Sequence, residues 1–328
     1  MNSKELKQAR ADIVQQFGDW SAHNLYLGED VYTYDQTHPK FADQLVGHGT
    51  HLRRIVQIVS DITKQPLSQL RALDLACLEG LYGIELARHG AQVVGIEGRE
   101  ASIEKARFAK KVLALDNLTL TQDDVRNLSV EKYGHFDVVL CLGILYHLDA
   151  PDVFHFVERM SDVCTRVAII DTHVGLVPNQ THTYKGREYH GWSFREHDDN
   201  ASPEARLKAL WASLDNEHSF WLTRPSLFNL LAASGFTSVY TCQYPVPLGQ
   251  WVDRDTLVAI KGDPQALLST PTVNGVPAPV WTEDSEVGLH PSQEHQMKSS
   301  GGGLRAFPRR IIRKGLNVIK RTRRQRTS

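Results

Sequence analysis

Apolar residues along the middle of the chain alternate between short continuous runs and helical spacing. The segment 71–98, RALDLACLEGLYGIELARHGAQVVGIEG, shows the pattern most fully. A short apolar run is followed by a turn with Gly80 and Gly83, a helical face, and a second apolar run that ends in Glu97. This order predicts a strand–turn–helix–strand unit of a parallel sheet. An acid at the tip of the second strand is the position that binds ribose hydroxyls in doubly wound folds.

The same alternation continues towards the C-terminus and predicts a parallel sheet with helices on both faces. The expected strands are 118–122, 136–143, 166–170, 237–243 and 255–260, and the expected helices are 101–113, 151–163 and 225–233. Two amphipathic helices, 4–17 and 41–62, precede the unit. They either cap a ligand pocket or pad the sheet, and padding is the simpler expectation.

Changes in composition divide the chain into five parts. We expect an N-terminal helical cap, a sheet domain, a long insertion after the fifth strand, a linker rich in Pro, Ser, Thr and Gly, and a basic amphipathic tail. Their bounds are 1–65, 66–262, 175–222 (inside the sheet domain), 263–303 and 304–328. An insertion of that length near strand ends is typical of a lid or a binding element, so it is expected to cover the acceptor.

The charges of the 328 residues are unevenly distributed. The tail from 304 holds ten Lys and Arg and no acid, which leaves 27 basic and 38 acidic residues before it. The basic and apolar residues of the tail leave three alternatives open. The tail binds an anionic membrane surface, binds RNA phosphates, or is a solubilising or partner-binding extension. No run of about 18 apolar residues is present. The N-terminus lacks a secretory signal, and the four cysteines are expected to be reduced, so a cytoplasmic protein is expected, with peripheral membrane association through the tail as an addition.

The turn after the first strand of the sheet narrows the choice of ligand. A pyrophosphate binder favours several glycines and bare amides at the helix start. Here Ala76 and Leu78 stand where glycines are usual, and Glu79 is expected to place negative charge at the mouth of the helix. The charge favours a cationic sulfonium over an anionic dinucleotide.

The motifs LDLACLEGLYG, VVGIEG, QDDV and FDVVLCLGILYHLDAP occur in that order and spacing, and with them residues 71–262 resemble a class I S-adenosylmethionine-dependent methyltransferase. The segments GILYHLDAP and SFWLTRPSLFNLLAASGF are similar to the branch that alkylates 5-hydroxyuridine at the tRNA wobble position. They are also similar to uncharacterised methyltransferases, including ones that act on glycans and other metabolites. The resemblance implies a Rossmann-like seven-stranded sheet with helices on both faces.

The resemblance also implies roles for single residues in binding S-adenosylmethionine. Asp74 and the backbone from Ala76 to Gly80 would hold its methionine part, and Glu97 would bind the ribose hydroxyls. Asp124, with the Val125 amide, would meet the adenine, and Leu142 and Gly143 would line the pocket near the methyl group. The full set of implied cofactor residues is Asp74, Ala76, Gly80, Glu97, Asp124, Val125, Leu142 and Gly143.

Several polar residues are candidates for work on the acceptor. His147 follows the fourth strand, where a general base would reach an acceptor hydroxyl, and the alternative is a packing histidine at a helix start. Tyr146 is a candidate for orienting the acceptor. Asp171 and His173 end the fifth strand and either bind the acceptor or simply terminate the strand. Of the adjacent Asp123 and Asp124, only one is expected to touch adenine.

The insertion carries histidines and aromatic residues with two interpretations each. His182, His190 and His197 do not have the spacing of a tight metal motif, so solvated loop histidines are expected and no metal is predicted. The aromatic side chains either line an acceptor pocket or form a small core of the insertion: Tyr184, Tyr189, Trp192 and Trp211.

The sequence therefore predicts an S-adenosylmethionine-dependent methyltransferase that methylates an oxygen of a small-molecule or glycan-type acceptor by in-line transfer. The first alternative is a tRNA wobble-uridine alkyltransferase, which the acidic body disfavours, while Lys185, Arg187 and Arg195 support it. An NAD-dependent oxidoreductase and a catalytically inactive S-adenosylmethionine-binding scaffold remain as alternatives from other classes.

Overall fold

The computed structural model describes residues 1–244 and 252–283. Residues Met1–Val280 form one compact unit. The predicted tail 304–328 and the linker beyond residue 283 lie outside the described residues. In the described part, no helix combines the length and the apolar character needed to cross a bilayer.

The chain contains eight α-helices and twelve strands within the described ranges. The helices are α1 Ser3–Phe17, α2 Phe41–Thr63, α3 Leu81–Arg88, α4 Glu100–Val112, α5 Val130–Tyr133, α6 Asp152–Val163, α7 Pro203–Lys208 and α8 Arg224–Ala233. The strands are β1 Tyr26–Gly28, β2 Val31–Tyr32, β3 Arg71–Leu75, β4 Gln92–Glu97, β5 Leu118–Gln122, β6 Phe136–Leu142, β7 Cys164–His173, β8 Gln180–Tyr184, β9 Arg187–Arg195, β10 His218–Leu222, β11 Ser238–Thr241 and β12 Arg254–Ile260.

The main sheet has seven strands in the order β11-β12-β7-β6-β3-β4-β5. Strands β3 to β7 are parallel, and β12 and β11 are added antiparallel at one edge. The predicted seven-stranded sheet is confirmed, and the expectation of a wholly parallel sheet fails only at this edge. Between β7 and β12 the chain runs through the insertion, α8 and β11. Strand β12 then pairs with β7 in the antiparallel direction.

Helices cover both faces of the sheet because the side chains of its buried strands alternate. In β6, Val139 and Cys141 face a core shared with α6 and α8, whereas Val138 and Leu140 face a core shared with α2, α3 and α4. All four side chains are completely buried. Helix α2 therefore packs on one face of the sheet.

The insertion has more regular structure than the sequence predicted. Strands β8, β9 and β10 form a separate antiparallel sheet. Its inner face, with Tyr189 and Phe220, packs on Phe154 of α6 in the core. Strand β10 approaches Gly191 so closely that only glycine fits there. A Cβ on Gly191 would lie 2.6 Å from the ring of Phe220 and 2.6 Å from the carbonyl oxygen of Trp221.

Two buried carboxylates hold the turn between β3 and α3. Glu79 is 1% exposed and accepts hydrogen bonds from the amides of Ser21 (2.8 Å), Ala22 (3.0 Å) and His23 (2.7 Å). Lys105 lies 3.5 Å from its Oε1. Glu79 therefore anchors the N-terminal segment, and the expectation that its charge faces a ligand at the helix mouth is wrong.

Asp74 lies on the other side of this turn, with 2% of its surface exposed. Its Oδ2 accepts a hydrogen bond of 2.8 Å from the amide of Gly83 in the first turn of α3. Burial raises the pKa of Asp74 to about 7, with the carboxylate of Glu97 adding to the shift and the Gly83 amide opposing it.

Replacing Glu79 with alanine should lower the free energy of unfolding by about 3–5 kcal/mol, because it leaves Lys105 and three backbone amides buried without their acceptor. Urea denaturation measures the change. The matched control is Glu85→Ala on α3, whose partner His89 is exposed, with an expected change of about 0.5 kcal/mol or less. Equal losses in the two variants would contradict the anchoring role.

The free energy of unfolding should depend on pH through Asp74. Because its pKa is higher in the folded chain than its ordinary value of 3.8, the folded state retains a proton that the unfolded state has released. This stabilisation is complete below about pH 4 and is lost as the pH rises through about 7. From about pH 5 to about pH 7, the wild type should lose about 1 kcal/mol per pH unit relative to Asp74→Asn. Parallel slopes in the two proteins would refute this.

Candidate functional site

A cavity of about 490 Å³ lies at the carboxyl ends of the parallel strands. Residues that follow β3, β4, β5 and β6 meet here, together with the end of β7 and parts of α2 and the insertion. From the sequence-predicted set, those that line it are Ala76, Leu78, Glu97, Asp124, Val125, Leu142, Gly143, Tyr146, His147, Asp171 and Trp211. Two predicted cofactor residues, Asp74 and Gly80, lie outside this lining.

The loop after β3 keeps a glycine-like conformation without glycines. Ala76 has φ 52° and Leu78 has φ 48°, both in the left-handed region. The amide of Leu78 then points to Glu97 and donates a hydrogen bond of 3.0 Å to its Oε2. Gly80, with φ 89°, precedes α3 and faces Ile84 rather than the cavity. The departures from the usual glycines therefore change the side chains of this loop and leave its left-handed geometry intact.

Glu97 ends β4 with its carboxylate at the cavity wall, and 2% of the residue is exposed. Its Oε1 accepts a hydrogen bond of 2.8 Å from the amide of Arg99. Burial raises the pKa of Glu97, and the amides of Arg99 and Leu78 oppose that shift. The two amides fix the orientation of the carboxylate, so it is held ready for a polar ligand.

The two adjacent aspartates after β5 diverge, as expected. Asp124 lines the cavity, and Arg126 donates to its Oδ2 from Nε at 2.9 Å and from Nη2 at 2.6 Å. Asp123 turns the other way, to Tyr133 and to Lys132 at 2.5 Å. Burial by itself would raise the pKa of Asp123, but these hydrogen bonds outweigh burial and hold the pKa at about 2.

A polar cluster closes the cavity at the end of β7. Asp171 accepts hydrogen bonds from Arg254 Nε (2.5 Å) and Thr256 Oγ1 (2.9 Å), and His51 Nε2 lies 3.1 Å away. Burial by itself would raise the pKa of Asp171, yet His51 and the charge of Arg254 hold it well below its usual range. A Cβ on Gly143 would lie 3.8 Å from Nη2 of Arg254, which places this cluster beside the loop after β6.

His147 lies next to this cluster and is held by a carboxylate. Its Nδ1 is 2.9 Å from Oε1 of Glu196, whose side chain is completely buried. The amide of Ser213 and the hydroxyl of Ser219 donate to the same carboxylate at 2.9 and 2.7 Å. A carboxylate can only accept, so Nδ1 carries the proton and Nε2 is the nitrogen that can accept one. Among the described residues, no hydrogen bond to Nε2 is seen.

One part of the insertion, residues 210–216, lines the cavity. It covers the end next to Glu97 and Asp124: a Cβ on Gly98 would lie 2.6 Å from Leu214, and Asp215 pairs with Arg126 at 2.7 Å. Arg99 holds the same segment through backbone carbonyls. The insertion thus reaches the end assigned to the ribose and adenine, as well as the neighbourhood of His147.

The other singled-out residues of the insertion are dispersed. His182 packs on Phe220, His190 bonds to Thr181, and His197 bonds to the Ser213 carbonyl. In residues 1–244 and 252–283, no three His, Cys, Asp or Glu are grouped as metal ligands. Of the aromatic residues, Trp211 lines the cavity, Tyr184 and Tyr189 pack on Phe154 at the core, and Trp192 is 37% exposed; His173 stacks on Trp221.

The N-terminal region combines the two predicted roles, because it packs on the sheet and also lines the cavity. Ala22, His23, Gly47, His48 and His51 all line it. Burial, with a contribution from neighbouring His48, lowers the pKa of His23 to about 3, so this side of the cavity is polar but uncharged there.

Sequence patterns did not single out four residues of the site: His51, Arg99, Glu196 and Arg254. Arg99 is two positions after Glu97, which was a usable signal because residues just after a strand tip face the ligand. Arg254 begins β12, whose antiparallel direction brings its first residue to this edge. Nothing in the local sequence indicates that Glu196 pairs with His147, since 49 positions separate them.

Comparisons with known proteins agree with this geometry. Residues 72–166 match a family model described as a methyltransferase domain. A segment of 85 residues is 32% identical to the ubiquinone biosynthesis O-methyltransferase of Acinetobacter baylyi and covers 26% of this chain and 36% of that protein. A segment of 77 residues is 38% identical to the 23S rRNA (uracil(1939)-C(5))-methyltransferase RlmD of Shewanella halifaxensis, covering 23% of this chain and 17% of that protein. The matched segment thus spans about a third of the first relative.

The fold is similar to that of the N-terminal domain of EvdMO1 crystallised with SAH bound. The TM-score is 0.59 at 22% identity, over 80% of this chain and 98% of that one. A second structure of that domain, determined in the presence of SAH and D-fucose, gives a TM-score of 0.57 at 22% identity, with the same coverage. The strand order and the structural similarity show that the chain has the class I methyltransferase fold, and residues 72–166 within it match the methyltransferase-domain model.

Proposed function

We propose that the protein is an S-adenosylmethionine-dependent methyltransferase that methylates a hydroxyl oxygen of an uncharged, glycan-type small molecule. The observation that carries the proposal is the pair of His147 and buried Glu196 at the end of the cavity next to Gly143. A histidine whose Nδ1 is held by a carboxylate is the arrangement that prepares Nε2 as a general base.

The residues of the cavity fit S-adenosylmethionine. Glu97 offers a fixed carboxylate for two ribose hydroxyls, and the left-handed loop at Ala76 and Leu78 lets a ligand approach the backbone. Asp124 and Val125 lie where the adenine would bind. The volume of about 490 Å³ is in the range of pockets that bury a cofactor. Asp74, behind the loop, supports the turn through Gly83 instead of lining the cavity.

The cofactor supplies a methyl group on a positively charged sulfur. The protein contributes alignment and a proton acceptor. Nε2 of His147 would take the proton that the acceptor hydroxyl loses when its oxygen receives the methyl group, and the electrons of the carbon–sulfur bond would stay on sulfur. Glu196 stabilises the imidazolium that results. Tyr146, whose ring centroid lies 4.3 Å from that of His147, is placed to orient the acceptor.

The charges of the cavity favour an uncharged acceptor. Arg254 is paired with Asp171 at 2.5 Å, and Arg126 with Asp124 at 2.6 Å. Arg99 directs its guanidinium to backbone carbonyls of the insertion. Phosphates or carboxylates of an acceptor would have to compete with these partners, whereas hydroxyl groups can share them.

The comparisons support an oxygen acceptor of this kind. One relative is named as an O-methyltransferase, and the domain of similar fold was crystallised in the presence of D-fucose. The RlmD similarity keeps RNA as the competing acceptor. Methyl transfer from labelled S-adenosylmethionine is measured with three acceptors: D-fucose, a hydroxylated aromatic compound and total tRNA. The acceptor that takes up the label separates glycan-type, aromatic and RNA acceptors. Label transfer to tRNA alone would overturn the glycan proposal.

Glu97→Ala should weaken binding of S-adenosylhomocysteine by about 10- to 100-fold, because one charged acceptor of two ribose hydrogen bonds is lost. Isothermal titration calorimetry measures the affinity. Glu100→Ala, at an acid in the first turn of α4, is the matched control and should bind as the wild type does. Tight binding of NAD, or wild-type affinity in Glu97→Ala, would contradict the assignment of the cofactor site.

His147→Ala should reduce kcat by about 10²- to 10⁴-fold with the best acceptor, because general base catalysis is lost. Its affinity for S-adenosylhomocysteine should stay within about twofold of wild type. The control His89→Ala, at an exposed histidine after α3, should keep full activity. If His147→Ala retains the wild-type kcat, the histidine only packs. If the wild type binds the cofactor and transfers no methyl group to any acceptor class, the inactive-scaffold alternative holds.

A further inference from the structure

The guanidinium of Arg99 holds the segment of the insertion that covers the cavity. Its Nε donates to the carbonyl of Leu207 at 3.1 Å. Its Nη2 lies 3.0, 2.7 and 3.1 Å from the carbonyl oxygens of Ala209, Ala212 and Ser213. The planar fork of arginine suits several carbonyls at once, and these include the end of α7, where the carbonyls have no helical partner.

The same segment holds Glu196 behind the general base. The amide of Ser213 donates 2.9 Å to Oε2 of Glu196, and Nδ1 of His147 binds the same carboxylate. Ser213 is 3% exposed, and its hydroxyl donates to the carbonyl of Asn216. Asn216 in turn donates 3.1 Å to the carbonyl of His147. The segment therefore touches the base both through Glu196 and directly.

These contacts form one chain from the ribose end of the cavity to the base. Arg99 begins next to Glu97, to which its own amide is bonded. Its guanidinium ends at the carbonyl of Ala212, which shares one peptide group with the Ser213 amide that holds Glu196. A peptide group that is bonded on both sides transmits a displacement of one partner to the other, because its atoms are planar and rigid.

We propose that Arg99 is a positioning residue for His147, which it aligns through the peptide group of Ala212 and Ser213 and through Glu196. The inference rests on the proposed role of His147 as general base. Loss of Arg99 should release residues 207–216, leave Glu196 without its fixed amide donor, and allow the imidazole of His147 to change its tautomer.

Two measurements on the full chain test this without a known acceptor. Hydrogen exchange with mass spectrometry follows residues 207–216 with and without S-adenosylhomocysteine. Nitrogen-15 NMR of histidine-labelled protein reads the tautomer of neutral His147, with the signal assigned by its absence in His147→Gln. The wild type with S-adenosylhomocysteine should show a protected segment and the Nδ1–H tautomer.

Arg99→Ala should exchange at least about tenfold faster in this segment and show a mixture of tautomers. Arg99→Lys should restore only part of both signals, since an ammonium cannot span the same carbonyls. Glu196→Gln should give the mixed tautomer with smaller loss of protection. The matched control is Arg126→Ala, which removes an arginine that also lines the cavity but contacts the segment only through exposed Asp215. It should keep the Nδ1–H tautomer.

An Arg99→Ala protein with wild-type protection and the wild-type tautomer would overturn the proposal. The same holds if Arg126→Ala changes the tautomer as strongly, because the effect would then belong to the general stability of the segment. Calorimetry with S-adenosylhomocysteine separates the two hypotheses: absence of binding in the wild type is a failure of the proposed function, whereas normal binding with an unaltered tautomer in Arg99→Ala is a failure of the positioning role alone.

Discussion

The parallel direction of strands β3 to β7 is the constraint on which the site depends. Their carboxyl ends meet at one edge, and the chain moves from β3 to β4 on one side and returns to β6 on the other. A crevice must open where the two directions separate. Glu97, Asp124, Gly143 and Asp171 reach the same cavity because each stands at or just after the end of such a strand. The parallel direction of the strands is therefore sufficient to bring these four residues to one cavity.

This constraint explains which parts were predictable. The apolar runs and glycines located all seven strands of the main sheet to within a few residues. The strand-end rule pointed to Glu97, and the resemblance to class I methyltransferases pointed to Asp124 and Gly143; all three line the cavity. The three strands of the insertion were missed because their mixed polar and aromatic residues have no clear apolar period. The antiparallel direction of β12 was missed because an apolar run does not indicate the direction of its strand. Glu79 was placed wrongly because its partners, the amides at Ser21 and Ala22, lie almost sixty positions away.

The buried carboxylates of this chain fall into two groups with different consequences. Glu79 and Asp74 bind backbone amides away from the cavity and hold the β3–α3 turn. Glu97 and Glu196 also bind amides, but each presents an oxygen towards a functional partner, the cavity in one case and His147 in the other. Amide donors are suited to this task because they orient a carboxylate while leaving it an acceptor. The sequence identified Glu97 as a site residue, whereas the anchoring role of Glu79 and the contact of Glu196 with His147 are seen only in the structure.

The position of Glu196 agrees with the way charge moves in methyl transfer. In the proposed mechanism, positive charge would begin on the sulfur of the methyl donor and would finish as the proton on His147. A site that stabilised only the sulfonium would bind the substrate state as well as the transition state and gain no rate. A buried carboxylate beside the imidazole stabilises the charge where it arrives, and it does so most when surrounding water is excluded. The segment 210–216 covers the cavity and orients that carboxylate through the Ser213 amide. Exclusion of water and alignment of the base are therefore consequences of the same loop.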